Sequence, residues 1–220
     1  MDHRADNFWD YLGEPLRGRA RLVLIALIVP LLLSFAFPLW RISMKAPQYP
    51  DGLWLDIYSN ELVGGNGGHD VQEINTLNHY IGMGRITRDE LRDLDWMPFG
   101  IAAMVLLSLR CAVLGNVRAL IDLSMVAAFI MVAAFGRFVA VLWRFGHDLD
   151  PTAPVRVQPF MPAVIGSKQI ANFTTWSMPQ LGSVCLGAFT VGIWCTTLLC
   201  LYAGRQRAAA RAVLHRVVSA

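Results

Sequence analysis

Two long runs without a charged residue constrain this chain more than any other feature of its sequence. Residues 22–40 form an uncharged run of nineteen, and residues 181–204 form one of twenty-four. Because an α-helix rises about 1.5 Å per residue, about twenty apolar residues cross a hydrocarbon core of roughly 30 Å. Each run therefore predicts a transmembrane helix.

The composition supports a membrane protein and excludes several other classes. The chain is 55% hydrophobic and only 16% charged, whereas soluble domains usually carry about a quarter charged residues. Its formal net charge of +3, from 19 basic and 16 acidic residues, is too small and too dispersed for a nucleic-acid-binding surface. We therefore expect membrane lipid around the chain and no nucleic-acid partner.

The stretch between the two runs predicts a helical hairpin. Residues 98–143 are largely apolar, and Gly-Asn-Val-Arg at 115–118 interrupts them, which indicates two helices joined by a turn. The predicted fold is an all-α transmembrane four-helix bundle with a small mixed α/β or irregular extracytoplasmic cap. Its segments are a cytoplasmic N-terminal segment at 1–21, transmembrane helices at 22–40, 98–114, 119–143 and 181–204, outer loops at 41–97 and 144–180, a cytoplasmic turn at 115–118, and a basic cytoplasmic tail at 205–220.

The first run has a second interpretation as a cleavable signal peptide. Ser34, Phe35 and Ala36 have the small-x-small spacing of a cleavage site. The 21 residues that precede the run are long for such a signal, so we expect residues 22–40 to remain as a helix.

The distribution of basic residues predicts the orientation. Residues 1–21, 110–118 and 205–220 hold ten arginines, whereas 41–97 and 144–180 hold eight basic residues and eleven of the sixteen acids. Basic residues concentrate in cytoplasmic loops near the ends of spans. We therefore expect a multi-pass membrane protein with both termini in the cytoplasm.

The two outer loops are longer than a helix connection needs, which is typical of functional loops. In the first loop, residues 52–59 alternate apolar and polar side chains, as a half-buried strand does. The second loop is rich in proline and is predicted to be extended and irregular. We expect the two loops to meet as a cap.

Histidine and methionine in these loops suggest a metal site. His79 and Met83 are spaced i, i+4, so they share one face of a helix unless Gly82 ends that helix first. Thioether and imidazole together suit copper, although Met83 has an alternative role as a core residue. The second loop offers a histidine with two aspartates beside it. The candidate copper ligands are His79, Met83, His147, Asp148 and Asp150.

Other common sites are absent from the sequence, which has no Walker loop, HExxH, GxSxG or CxxCH motif. The cysteines all lie in predicted spans and lack CxxC spacing, so we interpret them as helix-packing residues. They are Cys111, Cys185, Cys195 and Cys200. We expect a protein that is not an enzyme.

Two blocks of sequence resemble a known group of proteins. They are residues 38–61 with 75–83, which include NHYIGM at Asn78–Met83, and residues 146–173, which begin with GHDLDP at Gly146–Pro151. Both are similar to small, uncharacterised four-helix bacterial membrane proteins associated with gene clusters for nitrous-oxide reductase maturation and other periplasmic copper enzymes. The resemblance implies a role in copper supply, assembly or electron delivery, and it favours copper as a cofactor.

Three functions fit these observations. The first is a non-enzymatic inner-membrane accessory protein that binds copper, or docks a copper protein, on its outer face during maturation of a periplasmic or membrane cuproenzyme. The second is a small structural subunit of a multi-subunit copper or electron-transfer membrane complex. The third, a transporter-like conduit, is disfavoured because the spans lack midplane carboxylates. Small residues such as Ala102 and Ala127 permit homo-oligomeric or hetero-oligomeric helix contacts.

Overall fold

The computed structural model describes residues 11–170 and 172–218, with side chains up to Arg207. Its elements in chain order are α1 (Gly18–Leu33), β1 (Trp40–Ala46), β2 (Tyr49–Ile57), β3 (Leu62–Gly64), a 3-10 turn (Asn66–Gly68), α2 (His69–Tyr80), α3 (Asp93–Leu114), α4 (Val117–His147), β4 (Gly166–Ile170), β5 (Phe173–Pro179) and α5 (Leu181–Val218). The chain divides into two compact units. The helical unit comprises residues 1–31, 102–131 and 187–220, and the sheet unit comprises residues 32–101 and 132–186.

The sheet unit is built on a five-stranded antiparallel sheet in the order β3-β2-β1-β5-β4. The central strand β1 alternates Trp40, Ile42, Met44 and Ala46 with polar side chains, which is the period of a strand with one buried face. Trp40 lies opposite Ile57 of β2 and Pro179 of β5. Strand β1 therefore joins the N-terminal strands of the sheet unit to its C-terminal strands.

Helix α2 packs against the sheet and closes the core of this unit. The buried apolar residues are Met44, Ala46, Leu53, Leu55, Ile74, Leu77, Ile81, Ile170 and Phe173. Burying a side chain of the size of Leu or Ile contributes about 1.5–3 kcal/mol to folding. The buried carboxylate of Asp70 fixes the start of α2, because it accepts hydrogen bonds from the Trp54 backbone N–H at 3.0 Å and the Asn66 Nδ2 at 2.8 Å.

The helical unit has its own core and a fixed hairpin turn. Its fully buried side chains include Leu24, Leu120 and Ile193. At the turn between α3 and α4, the Asn116 Oδ1 accepts a hydrogen bond from the Ala119 N–H at 2.9 Å and so caps α4. The segment before α1 lies beside this turn, since the Leu16 N–H donates to the Gly115 carbonyl at 3.2 Å.

The prediction of an all-α four-helix bundle is wrong, because five strands form a sheet. The error begins at the first uncharged run, where α1 ends at Leu33 and the chain becomes strand β1 at Trp40. The absence of charge was interpreted as helix through residue 40, although residues 40–46 have the two-residue period of a strand. The proline-rich second loop also contains strands β4 and β5.

Three helices within the described residues are long and apolar enough to cross a membrane, which indicates a membrane protein. They are Asp93–Leu114, Val117–His147 and Leu181–Arg207. Helix α1 has only 16 residues and is not among them, so the predicted span at 22–40 is not one of the membrane-length helices. The turn predicted at 115–118 is shorter and consists of Gly115 and Asn116. Helix α5 continues beyond residue 204, where the last span was predicted to end.

Candidate functional site

The two segments that carry the family resemblance lie against each other in the sheet unit. The Asp150 N–H donates to the Gly82 carbonyl at 2.8 Å, and the Val155 N–H donates to the Tyr80 carbonyl at 3.0 Å. We call residues 78–83 and 146–155 together the loop junction. The meeting of the two loops that the sequence predicted is therefore observed here.

The end of α2 determines the shape of the loop junction. The Met83 N–H donates to the Asn78 carbonyl at 2.8 Å and the Gly82 N–H to the His79 carbonyl at 3.1 Å, which is the Schellman arrangement of a helix C-terminus. Gly82 has a φ of +79°, a backbone conformation that favours glycine. A Cβ atom at this position would lie 2.8 Å from the Asp150 carbonyl oxygen.

This helix end separates His79 from Met83. His79 is exposed in the last turn of α2, whereas Met83 lies beyond the helix and packs against the apolar core of the sheet unit. The i, i+4 relationship that suggested a shared ligand face does not hold past Gly82. Met83 thus occupies the core position that the sequence left open as its alternative role.

The second segment contributes an exposed carboxylate near His79. Asp150 Oδ1 accepts hydrogen bonds from the Thr152 Oγ1 at 2.6 Å and the Thr152 N–H at 2.8 Å. These bonds are the main cause of a lowered pKa of Asp150, and the electrostatic contribution of the nearby His79 lowers it further. Asp150 is therefore an anion close enough to His79 to interact with it electrostatically.

The other predicted ligands have separate surroundings. The Nδ1 of His147 lies 2.9 Å from the Trp143 carbonyl, and the two rings stack with centroids 4.3 Å apart. Asp148 is exposed. In the part of the chain that the structure describes, no three His, Cys, Asp or Glu side chains lie close enough to hold a metal ion. The predicted His and Asp ligands therefore form no group of three among the described residues, and Asp150 interacts electrostatically with His79.

A cavity of about 130 Å³ lies inside the sheet unit and was not predicted from the sequence. Its walls come from strands β1, β2 and β5, helix α2, the first turns of α3 and the last turns of α4. The lining is almost entirely apolar and includes four aromatic side chains, namely Phe138, Phe145, Phe173 and Trp176.

Four polar side chains reach this cavity, and three of them have partners. Thr175 donates to the Lys168 carbonyl at 3.1 Å, Ser177 donates to the Val164 carbonyl at 2.9 Å, and Asp93 accepts from Arg137 at 2.6 Å. The fourth is Asn78, which is 2% exposed and whose Nδ2 has no hydrogen-bond partner among the described residues.

A sequence signal for Asn78 existed and was missed. Asn78 follows Ile74 by four residues and precedes Ile81 by three, so it lies on the apolar face of α2. A polar residue in such a stripe needs a partner inside the core. His79, the neighbouring residue that suggested a metal site, is exposed instead.

Comparisons with known proteins identify no relative of this chain. No family model matches the chain, and neither a curated protein nor a solved structure matches it.

Proposed function

We propose that this chain is a non-enzymatic accessory protein of the bacterial inner membrane that docks a copper protein through its loop junction during maturation of a cuproenzyme. The observation that carries the proposal is the pair of backbone hydrogen bonds between residues 80–82 and 150–155. They join the two segments that carry the resemblance and leave His79 and Asp150 exposed side by side. Copper and the cuproenzyme come from the resemblance alone.

The second loop is held in place although it has little regular structure before β4. Besides its bonds to Tyr80 and Gly82, the loop is closed by a hydrogen bond from the Phe160 N–H to the Gly146 carbonyl at 2.9 Å. A Cβ atom at position 146 would lie 1.9 Å from the Phe160 oxygen, so glycine is required there. A loop fixed before binding loses little conformational entropy when a partner docks, which supports recognition by this surface.

The charge of the predicted outer segments also supports docking. Residues 41–97 and 144–180 hold eight basic and eleven acidic residues, a formal balance of −3. Such a balance favours a partner with a positively charged face and speeds its diffusional encounter. Both termini and the hairpin turn are proposed to lie in the cytoplasm, with the outer segments 41–97 and 144–180 on the opposite side of the membrane.

Photo-crosslinking of the full-length chain in its native membranes tests the docking role. A crosslinking residue replaces exposed Arg156 beside the loop junction, and the same residue at exposed Arg118 serves as the remote control. We expect a discrete crosslinked protein from position 156 alone. The paired change His79→Ala and Asp150→Asn should reduce its yield about fivefold or more, whereas His69→Ala should not. An unchanged yield in the paired variant contradicts docking through the junction.

The copper content separates the two forms of the accessory role. About one copper per purified chain, lost in His79→Ala and in His147→Ala, supports direct binding. Copper found only in the crosslinked complex supports docking of a copper protein. If the crosslinked complex contains no copper, the copper part of the proposal is wrong. The crosslinking yield then decides by itself whether the loop junction docks a partner.

A structural subunit of a larger membrane complex is the second candidate, and one observation favours it. In an apolar stretch of 18 residues in α4, only 6% of the residues are buried within the chain. The corresponding share is 28% in each of the other two membrane-length helices. This helix has the most surface free for a foreign helix. Crosslinks from exposed Phe129 to an integral membrane protein, insensitive to the paired variant, would support this role instead.

A further inference from the structure

We infer that the cavity of the sheet unit binds a membrane-soluble ligand with an apolar ring and a carbonyl acceptor, of the quinone class, and that Asn78 Nδ2 donates to that carbonyl. This inference goes beyond the docking function and does not depend on His79 or Asp150. It rests on an unpaired buried amide, on the size and lining of the cavity, and on the helices that border it.

The unpaired amide is the first observation. Asn78 is as buried as its core neighbours Ile74 and Ile81, yet its Nδ2 has no partner among the described residues. A buried donor without an acceptor is costly, and native proteins nearly always satisfy such groups. Asn78 lines the cavity, but its Nδ2 has almost no accessible surface, so the amide must rotate toward the cavity to meet an acceptor from a bound molecule.

The cavity offers a water molecule few polar side chains besides Asn78. Buried waters typically make two to four hydrogen bonds, about three on average. The other polar side chains in the lining, Asp93, Thr175 and Ser177, already have partners. A ligand that contributes one acceptor and an otherwise apolar surface matches this cavity better.

The size and lining of the cavity define the ligand further. Its volume is about 130 Å³, and an apolar cavity of about 150 Å³ takes up a benzene ring. The cavity is thus close to the size that takes up one six-membered ring, with small adjustments of the lining side chains. Phe138, Phe145 and Trp176 offer aromatic surfaces, and the thioethers of Met44 and Met83 add polarizable contacts.

The bordering helices indicate where the ligand comes from. Leu94 and Met97 of α3 and Ala134 and Val141 of α4 line the cavity, and both helices are of membrane-spanning length. Part of the cavity wall thus belongs to helices that contact lipid, so a ligand dissolved in the bilayer can enter from there. Its ring enters the cavity, and any alkyl tail remains in the hydrocarbon.

The test uses the purified full-length chain in detergent and 2-decyl-1,4-benzoquinone as the probe. Trp176 lines the cavity, so binding should quench tryptophan fluorescence with saturation at about one probe per chain. Decylbenzene, which has the same tail and ring size but no carbonyl, should compete about fivefold to tenfold more weakly, since it lacks one hydrogen bond. Equal competition would show that the cavity takes any alkyl chain, such as a lipid tail, and would overturn the inference.

Two variants separate the contribution of the Asn78 amide to quinone binding from that of the cavity itself. Asn78→Leu should weaken quinone binding about fivefold to tenfold and raise the melting temperature of the ligand-free chain, because an apolar side chain replaces an unpaired buried amide. Ala134→Phe should fill the cavity and abolish saturable quenching with Asn78 intact. His79→Ala, at the exposed neighbouring position, should leave binding unchanged.

The contradicting results are equally specific. Wild-type affinity in Asn78→Leu overturns the role of the amide, and saturable quenching in Ala134→Phe overturns the location even where Asn78→Leu does not fold. Failure of docking at His79 and Asp150 has no bearing on these measurements, so the two proposals can fail separately.

Discussion

At the scale of single residues, Gly82 meets two independent requirements of the loop junction. Its φ of +79° ends α2, and its missing side chain lets the Asp150 backbone approach, where a Cβ atom would lie 2.8 Å from the carbonyl oxygen. The first requirement is local and is visible in the sequence as a glycine after a helix. The second depends on a segment almost seventy residues away and is visible only in the structure.

Gly82→Ala is expected to destabilise the chain by about 2–3 kcal/mol. A positive φ costs an alanine about 1 kcal/mol, and displacement of residues 150–153 adds the remainder. Thermal unfolding of the detergent-solubilised full-length chain measures the loss.

Two matched glycines separate these contributions. Gly67 has a φ of +66° and an open Cβ position, so Gly67→Ala reports the backbone strain alone. Gly84 has an ordinary nearest contact of 3.5 Å and lacks a positive φ, so Gly84→Ala should be close to neutral. Equal losses in Gly82→Ala and Gly67→Ala would mean that the second loop does not approach Gly82 closely.

At the scale of elements, the pairing of β1 with β5 explains why the sheet differs from the predicted all-α bundle. The alternation of β1 is present in residues 40–46, but its first residue, Trp40, ends the uncharged run predicted as a helix, and residues 41–46 fall in the predicted first outer loop. Strand β5 pairs with residues 129 to 139 positions away. Local periodicity carries no information about such a partner, so the sheet was not predictable from one sequence.

Other elements were predictable because their signals are local. A 24-residue uncharged run predicted a helix from residue 181, and α5 begins at Leu181. The contact between the two loops also followed from their lengths. The orientation of Met83 did not, because it depends on which residue after Tyr80 ends α2, and the orphan amide of Asn78 required the positions of its neighbours.

The β1–β5 pairing predicts an energetic coupling between Trp40 and Ser177. The Trp40 Nε1 donates to the Ser177 Oγ at 2.7 Å, and both side chains are buried. Ser177→Ala should cost about 1–3 kcal/mol, because it leaves the indole N–H without an acceptor. In a Trp40→Phe background the same change should cost less, and a double-mutant cycle of thermal unfolding measures the difference.

The exposed Ser167 on β4 is the control for this cycle, since Ser167→Ala should change stability by no more than about 0.5 kcal/mol. Additive effects of Trp40→Phe and Ser177→Ala would show that the indole hydrogen bond does not contribute to the pairing of the two strands.

At the scale of the whole molecule, helix α4 matters most for assembly. It is 31 residues long, about 46 Å at 1.5 Å per residue, which exceeds a hydrocarbon core of roughly 30 Å. Exposed large side chains such as Phe129 and Val132 lie along it. Lipid or a partner helix must cover this surface. A partner helix on α4 favours the subunit role, whereas a partner bound at the loop junction favours the accessory role.

Membrane sidedness is the last prediction, and it follows from the helix lengths and one backbone contact. If α3 and α4 each cross the bilayer, exposed positions 88 and 158 lie on one side and position 118 lies on the other. Position 17 should label with position 118, because the Leu16 N–H bonds to the Gly115 carbonyl at the hairpin turn. The basic residues near that turn predict that it faces the cytoplasm.

Single cysteines at Arg17, Arg88, Arg118 and Gln158, in a chain whose four native cysteines are replaced by serine, test this arrangement with a membrane-impermeant maleimide. Right-side-out vesicles should label positions 88 and 158 only, and inverted vesicles should label positions 17 and 118 only. Labelling of 88 and 118 from the same side would show that α3 does not cross the membrane. Labelling of 17 with 88 would instead show that the contact between residues 16 and 115 does not persist in the bilayer, and the N-terminal segment would then belong with the sheet unit.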